Sequence, residues 1–219
     1  MFFPQVCEAC NSVLGDNEFV ICLKCRHQLP ITNFHFENSD AVKKILYGRV
    51  KLENATALLH FSKKTIVQNL LHNLKYRGHE QIGGVLGKWL GVELKTIDAY
   101  KTIDCVIPVP LYKTKLRKRG YNQVTRFGKA IAQELNVEFN DKLLIKTKPT
   151  KTQVFKGRFG RSENNSAVFD LSKDQNFNGK HILIVDDIIT TGATIESCAA
   201  VLLKFDNIKL SLATMAIAD

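Results

Sequence analysis

Apolar positions fall into helical and strand-like spacings along most of the chain. From Thr65 to Tyr76, Ile66, Leu70, Leu71 and Leu74 recur at helical spacing, and Gly78 follows as a stop. Glu80 to about Leu94 predicts a second helix, interrupted by several glycines. Before them, Arg49–Leu52 and Ala55–Phe61 predict two short strands around Glu53-Asn54. From Asp104 onward the pattern is strand, helix, strand, strand, helix, strand. Cys105-Val106-Ile107 is a short apolar run stopped by Pro108 and Pro110, because proline cannot continue a central strand. Gln123 to Leu135 is helical through Val124, Phe127, Ile131 and Leu135. Leu143-Leu144-Ile145 predicts a strand, and Ile182-Leu183-Ile184-Val185 predicts one buried on both faces. Ala193 to Lys204 is helical, and Leu210 to Ile217 closes as a strand. This alternation implies an α/β fold with a mainly parallel sheet.

The first 30 residues do not fit that pattern. They hold four cysteines and few large apolar side chains, too little for a core of their own. Three segments are therefore expected: a four-cysteine module at 1–30, a connecting segment with hood-like strands and helices at 31–100, and the α/β domain at 101–219. With 219 residues the chain is long enough to bury a real core. Its 45% hydrophobic and 24% charged residues argue against a disordered or low-complexity protein. No apolar run reaches the roughly 18 residues of a membrane span, so membrane insertion is not expected. No basic residue precedes Lys24, so an export signal is not expected either, and the expected location is cytoplasmic.

The net charge of +10 is unevenly placed. Leu111 to Arg161 carries 14 basic and 3 acidic residues, and the rest carries 17 basic and 18 acidic. Such a block usually meets phosphate, on a small molecule or on a nucleic acid, although a solvated basic face has the same composition. Within it, Thr147 to Asn165 is a long polar loop with Pro149, Gly157 and Gly160, and loops of that length are usually functional or mobile.

Cys7, Cys10, Cys22 and Cys25 form two C-x-x-C pairs separated by 11 residues. In a reducing compartment paired cysteines read as metal ligands, and four sulfurs around one ion suit Zn²⁺. A site closed by four cysteines leaves no open position for catalysis. Its expected role is structural, worth on the order of 10 kcal/mol. Cys105 and Cys198 read as core thiols. The six histidines show no paired ligand spacing.

The second constellation is Ile182-Leu183-Ile184-Val185-Asp186-Asp187-Ile188-Ile189-Thr190-Thr191-Gly192-Ala193-Thr194. The strand is expected to end in the two acids, and a small-residue loop then opens a helix. Ligands of open α/β sheets bind at the carboxyl ends of strands. Backbone N–H groups and hydroxyls at a helix N-terminus make a seat for a phosphate monoester. No G-x-x-x-x-G-K-[ST] loop is present, which argues against a P-loop ATPase.

This segment resembles the signature for 5-phosphoribosyl 1-pyrophosphate (PRPP) in type I phosphoribosyltransferases. Ile107-Pro108-Val109-Pro110-Leu111-Tyr112 resembles their pyrophosphate loop. Arg119-Gly120-Tyr121-Asn122-Gln123 follows, then Gln153, Arg161, Asn164 and Phe169. With the four-cysteine head, nearly the whole chain resembles the ComF (GntX-like) family, associated with natural competence and the handling of single-stranded DNA. Leu74-Lys75-Tyr76-Arg77-Gly78 contributes to the match. The resemblance implies a type I phosphoribosyltransferase-like fold with a small zinc-ribbon-like module in front. It also resembles the transferase domain of glutamine PRPP amidotransferase. Here, however, the first cysteine lies inside the zinc pattern, and no glutaminase domain is expected.

The resemblance also implies roles. Asp186 and Asp187 would meet the ribose hydroxyls and Mg²⁺. Thr190, Thr191, Gly192, Ala193 and Thr194 would take the 5′-phosphate. Val109, Pro110, Leu111, Tyr112 and Lys113 would take pyrophosphate, with Arg161 as a closing cation. The implied partners are PRPP, single-stranded DNA through Lys115, Arg117, Lys118, Arg119 and Arg126, and other competence proteins. Three readings stay open: a phosphoribosyltransferase with an unknown acceptor, a non-catalytic DNA-handling protein, and a PRPP-sensing regulator.

Overall fold

The computed structural model describes residues 4–149, 168–172 and 175–218. The chain runs through α1 (Leu23–Gln28), α2 (Ala41–Ile45), β1 (Ala55–Phe61), α3 (Ile66–Tyr76) and α4 (Gln81–Lys95). After a 3-10 turn at Asp98–Tyr100 come β2 (Cys105–Pro108), α5 (Lys113–Arg119), α6 (Thr125–Leu135) and β3 (Glu138–Phe139). Then follow β4 (Leu144–Lys146), β5 (Phe169–Leu171), β6 (His181–Ile189), α7 (Ala193–Leu202) and β7 (Lys209–Ala218).

Five strands form one sheet in the order β1-β7-β6-β2-β3, and each neighbouring pair is parallel. β4 and β5 make a separate antiparallel pair. The apolar strands are buried on both faces. Along β6, Leu183 and Val185 join the cluster of α3, α4 and α6, while Ile182 and Ile184 join that of α2, α7 and the β4–β5 pair. Each such side chain contributes about 1.5–3 kcal/mol by leaving water. Cys7, Val20, Ile21, Cys25 and Leu29 of the N-terminal segment belong to the first cluster, so the cysteine head packs on α3 and α4.

The glycines of α4 have a packing reason. A Cβ at Gly87 would lie 2.4 Å from the Phe127 carbonyl oxygen, so α4 rests on α6 backbone to backbone. That contact offsets the roughly 1 kcal/mol cost of glycine inside a helix.

Several expectations shift. Arg49–Leu52 is not a strand. The N–H groups of Arg49 and Val50 bond the Leu46 carbonyl, so the backbone is committed to the turn after α2. The strand expected at Leu143–Ile145 lies at Leu144–Lys146 and pairs with β5, away from the main sheet. β6 does not stop at the acids. β7 keeps pairing with it as far as Ile189, opposite Ile217. α1, α2, α5 and β3 were not expected. α5 reads KTKLRKR and has too few apolar residues to show a period.

The strand order places the crevice. From β2 the chain passes through α6 to β3 on one side. From β6 it passes through α7 to β7 on the other. The two connections diverge, so the carboxyl ends of β2 and β6 flank a topological switch point, the usual ligand position in such sheets. Among the described residues no helix is long and apolar enough to cross a membrane.

Candidate phosphate and metal sites

β6 outruns β2: their pairing ends at Pro108 opposite Val185, while β6 goes on to Ile189. Asp186 and Asp187 therefore lie beside the open end of β2. Because the strand continues through them, alternation sends the two side chains to opposite faces. Asp187 faces the α3 and α6 layer. Its Oδ1 pairs with Lys75 Nζ at 2.9 Å, and its Oδ2 accepts a hydrogen bond from Gln123 Nε2 at 2.6 Å. Gln123 in turn accepts from the Arg119 guanidinium. Asp186 faces Lys146 of β4 and Cys198 of α7, and its Oδ1 accepts the Asp187 N–H at 2.9 Å. Burial, and then the charge of Asp187, push the Asp186 carboxyl up to about 7. Burial likewise lowers the Lys146 pKa. The buried Asp186 carboxylate, with Asp187 next to it in the strand, is a donor that a cation would stabilise.

The loop after β6 is open. Thr190, Thr191, Ala193 and Thr194 are exposed, whereas Gly192 is buried at the start of α7. Gly192 has a φ of +76°, and a Cβ there would lie 2.6 Å from Leu46 Cδ2, so both conformation and space require glycine. Arg49, in the turn after α2, braces the loop. Its guanidinium donates to the Thr191 carbonyl and to Glu196 Oε2, each at 2.8 Å.

Across the crevice, the chain leaving β2 turns through Val109–Tyr112 into α5. The Val109 N–H donates to the Val185 carbonyl at 3.0 Å, and Asn122 Nδ2 donates to the Val109 carbonyl at 3.0 Å. Lys113, Lys115, Arg117, Lys118 and Arg119 all lie on α5, which buries no residue. Arg126 lies apart on α6, with its Nε 3.5 Å from Glu80 Oε2. Arg161, Gln153 and Asn164 lie outside the described residues, as does most of the Thr147–Asn165 loop.

The four N-terminal cysteines converge. Their sulfurs lie within 4.8 Å of one another, and three of the four residues are buried. Backbone N–H groups point at two of them, Cys22 N–H at Cys7 Sγ (3.3 Å) and Cys25 N–H at Cys22 Sγ (3.5 Å). Ser12 lowers the Cys10 thiol to about 6. Four soft donors with amide support form a cluster able to hold a metal ion such as zinc.

Between Cys7 and Cys10, buried Glu8 ties this head to the sheet domain. It accepts hydrogen bonds from Asn73 and Gln81 and pairs with His79. Asn73 sits two residues before Lys75, which reaches Asp187. Lys75, Gln123, Arg49, Lys146 and Glu8 had no assigned role in the sequence reading. Lys75 and Gln123 fell inside recognised motifs, which was their only signal. Arg49 carried none, being 142 residues from its loop partner.

Residues 125–217 match the phosphoribosyl transferase domain family. Over 138 residues the chain is 29% identical to DNA utilization protein YhgH of Shigella flexneri, across 62% of this chain and 60% of that protein. Over 139 residues it is 28% identical to competence protein F of Haemophilus influenzae, across 62% of this chain and 61% of that protein. Among solved structures it is similar to an adenine phosphoribosyltransferase of Leishmania donovani. That match is 12% identical, with a TM-score of 0.40 over 82% of this chain and 81% of that one. The matches to the two relatives span about three fifths of their length. Residues 125–217 thus match a phosphoribosyl transferase domain behind a four-cysteine head, and the chain is similar to proteins named for DNA utilization and competence.

Proposed function

We propose that the crevice between β2 and β6 binds PRPP with Mg²⁺, and that the protein serves the handling of incoming DNA in natural transformation. One observation carries this reading. Inside the matched transferase domain, the exposed Thr190–Thr194 loop opens α7 directly after the acid pair, at the switch point of the sheet.

In this reading Thr190, Thr191, Gly192, Ala193 and Thr194 hold the 5′-phosphate through N–H groups and hydroxyls. Asp186 and Asp187 reach the ribose hydroxyls and hold Mg²⁺. Val109–Tyr112 and Lys113 receive the pyrophosphate. Transfer breaks the bond from ribose C1 to pyrophosphate through an oxocarbenium-like state, so donors and cations around the leaving group are what the site must supply. Bound Mg²⁺ supplies positive charge to the pyrophosphate. Lys75 pairs with Asp187 and positions it, and Arg161 is the proposed closing cation.

The cysteine head holds structural Zn²⁺. The names of the relatives support a role in DNA use and competence; in this reading the protein acts in the cytoplasm, alongside other competence proteins. A second reading is a DNA-handling or PRPP-sensing protein without turnover. The five cations of α5, on a helix that buries nothing, favour it.

Calorimetric titration of the zinc-loaded protein with Mg²⁺-PRPP tests the site. Saturable binding that disappears in Asp186→Asn/Asp187→Asn is the expected result, and no binding by the folded protein would overturn it. Pyrophosphate release on adding an acceptor separates transferase from sensor.

A further inference from the structure

A cavity of about 350 Å³ opens between the C-terminal end of α3 and α5, lined chiefly by Lys75, Tyr76, Lys115, Lys118, Arg119 and Tyr121. Its lining has four cations, two phenols and no carboxylate. We propose that this cavity is a nucleotide pocket, holding a base against Tyr76 and the adjoining phosphate on Lys115 and Lys118. The proposal rests on the DNA-handling reading above; the pocket adjoins the proposed PRPP site through Lys75, but its base and phosphate contacts, Tyr76, Lys115 and Lys118, are not part of that site.

Charge is the first argument. α5 carries five cations in seven residues and buries none of them. Lys113 and Arg117, and Lys115 and Arg119, stand four residues apart, and each like-charge pair opposes the helix. Packing offers no return for this arrangement, but a bound anion does. The second argument is the ring. Tyr76 is 69% exposed at the rim of the cavity. The Arg119 guanidinium sits 5.7 Å from its ring centroid and His72 at 5.0 Å. An exposed ring among cations is a stacking platform, the pairing that single-stranded nucleic acid uses. A flat lysine surface would bind any polyanion, whereas a cavity with an aromatic wall favours one that carries a planar ring.

Rigidity is the third. The Tyr121 hydroxyl donates to the Leu74 carbonyl, and Gly120 turns the chain from α5 toward α6 at a φ of +83°. These fix the wall while the lysine ends stay exposed. The volume lies within the ordinary range for small-ligand pockets, about 300–1,000 Å³.

The test uses the full zinc-loaded chain and a short single-stranded oligonucleotide containing 2-aminopurine, whose fluorescence is quenched on stacking. Tyr76→Ala is expected to weaken binding roughly tenfold and to remove the quench, while Tyr76→Phe retains both. Lys118→Ala is expected to weaken binding about threefold and to lower the salt slope by about one phosphate contact. Both side chains are exposed, so unchanged thermal melting and zinc content verify folding. A 5′-mononucleotide that displaces the strand assigns a free nucleotide as ligand. Strand binding without displacement assigns a strand. Asp186→Asn/Asp187→Asn should still bind the strand, so loss of PRPP binding alone leaves this pocket standing. Wild-type affinity in both Tyr76→Ala and Lys118→Ala, or no binding of strand or mononucleotide by the folded wild type, overturns the proposal.

Discussion

The cysteine head and the β6 end of the sheet reach order by different routes. Ile182 to Val185 are fully buried between two helical layers, and their strand is fixed by area alone. The head has Val20, Ile21 and Leu29 as its larger buried apolar residues, and its interior among the described residues is otherwise Ala9, Glu8 and three cysteines. A segment with so little apolar area depends on what its sulfurs hold. Yet the two regions are joined. Glu8 meets Asn73 on α3, and two residues on, Lys75 meets Asp187. The difference implies that metal loss should melt the head first and reach the candidate site through α3, leaving the central strands in place.

The largest break in that comparison comes from Cys22→Ser/Cys25→Ser. It should abolish metal binding, on the order of 10 kcal/mol of coupled folding energy, and expose the amides of residues 5–29 to hydrogen exchange. The amides of β2, β6 and β7 should remain protected. Loss of protection everywhere at once would contradict the separation.

Ile184→Ala is the reverse case. It should cost about 2–5 kcal/mol in denaturant unfolding and leave metal content intact. Gly192→Ala should cost about 1–3 kcal/mol, because alanine must adopt the left-handed conformation and meet Leu46. Lys75→Met should leave the fold intact and weaken PRPP binding, read by calorimetry.

The last break is a pH slope. The Asp186 carboxyl is raised from 3.8 to about 7, so the folded state binds its proton more tightly than the unfolded state. Its contribution to stability is complete below the unfolded value and is lost as pH rises through about 7. Denaturant unfolding across that window should show the wild type losing stability with pH, and Asp186→Asn should flatten the curve. The same proton competes with a cation, so Mg²⁺-PRPP should bind more tightly above that pH than below it.

How much of this was legible follows from range. The buried run at Ile182–Val185, the helix of α3 and the cysteine pairs are local patterns, and each stands where its spacing put it. The end of β6 was misread because its pairing is set by β7, a strand 20 or more residues away. That pairing is also why the two acids face opposite layers, a consequence local spacing does not contain. α5 was missed because its cations conceal any apolar period. Arg49 read as part of a strand, but its backbone is used in a turn and its side chain braces the Thr191 loop. Contacts across 142 residues leave no trace in a single sequence.

The central claim is that the Thr190–Thr194 loop and the acid pair seat one phosphoribosyl ligand. Hydrogen exchange of the amides from Thr190 to Thr194, measured with and without Mg²⁺-PRPP, tests it most directly. Protection gained there on adding ligand, and absent in Asp186→Asn/Asp187→Asn, is the predicted result. Unchanged exchange in this loop at saturating ligand would contradict it.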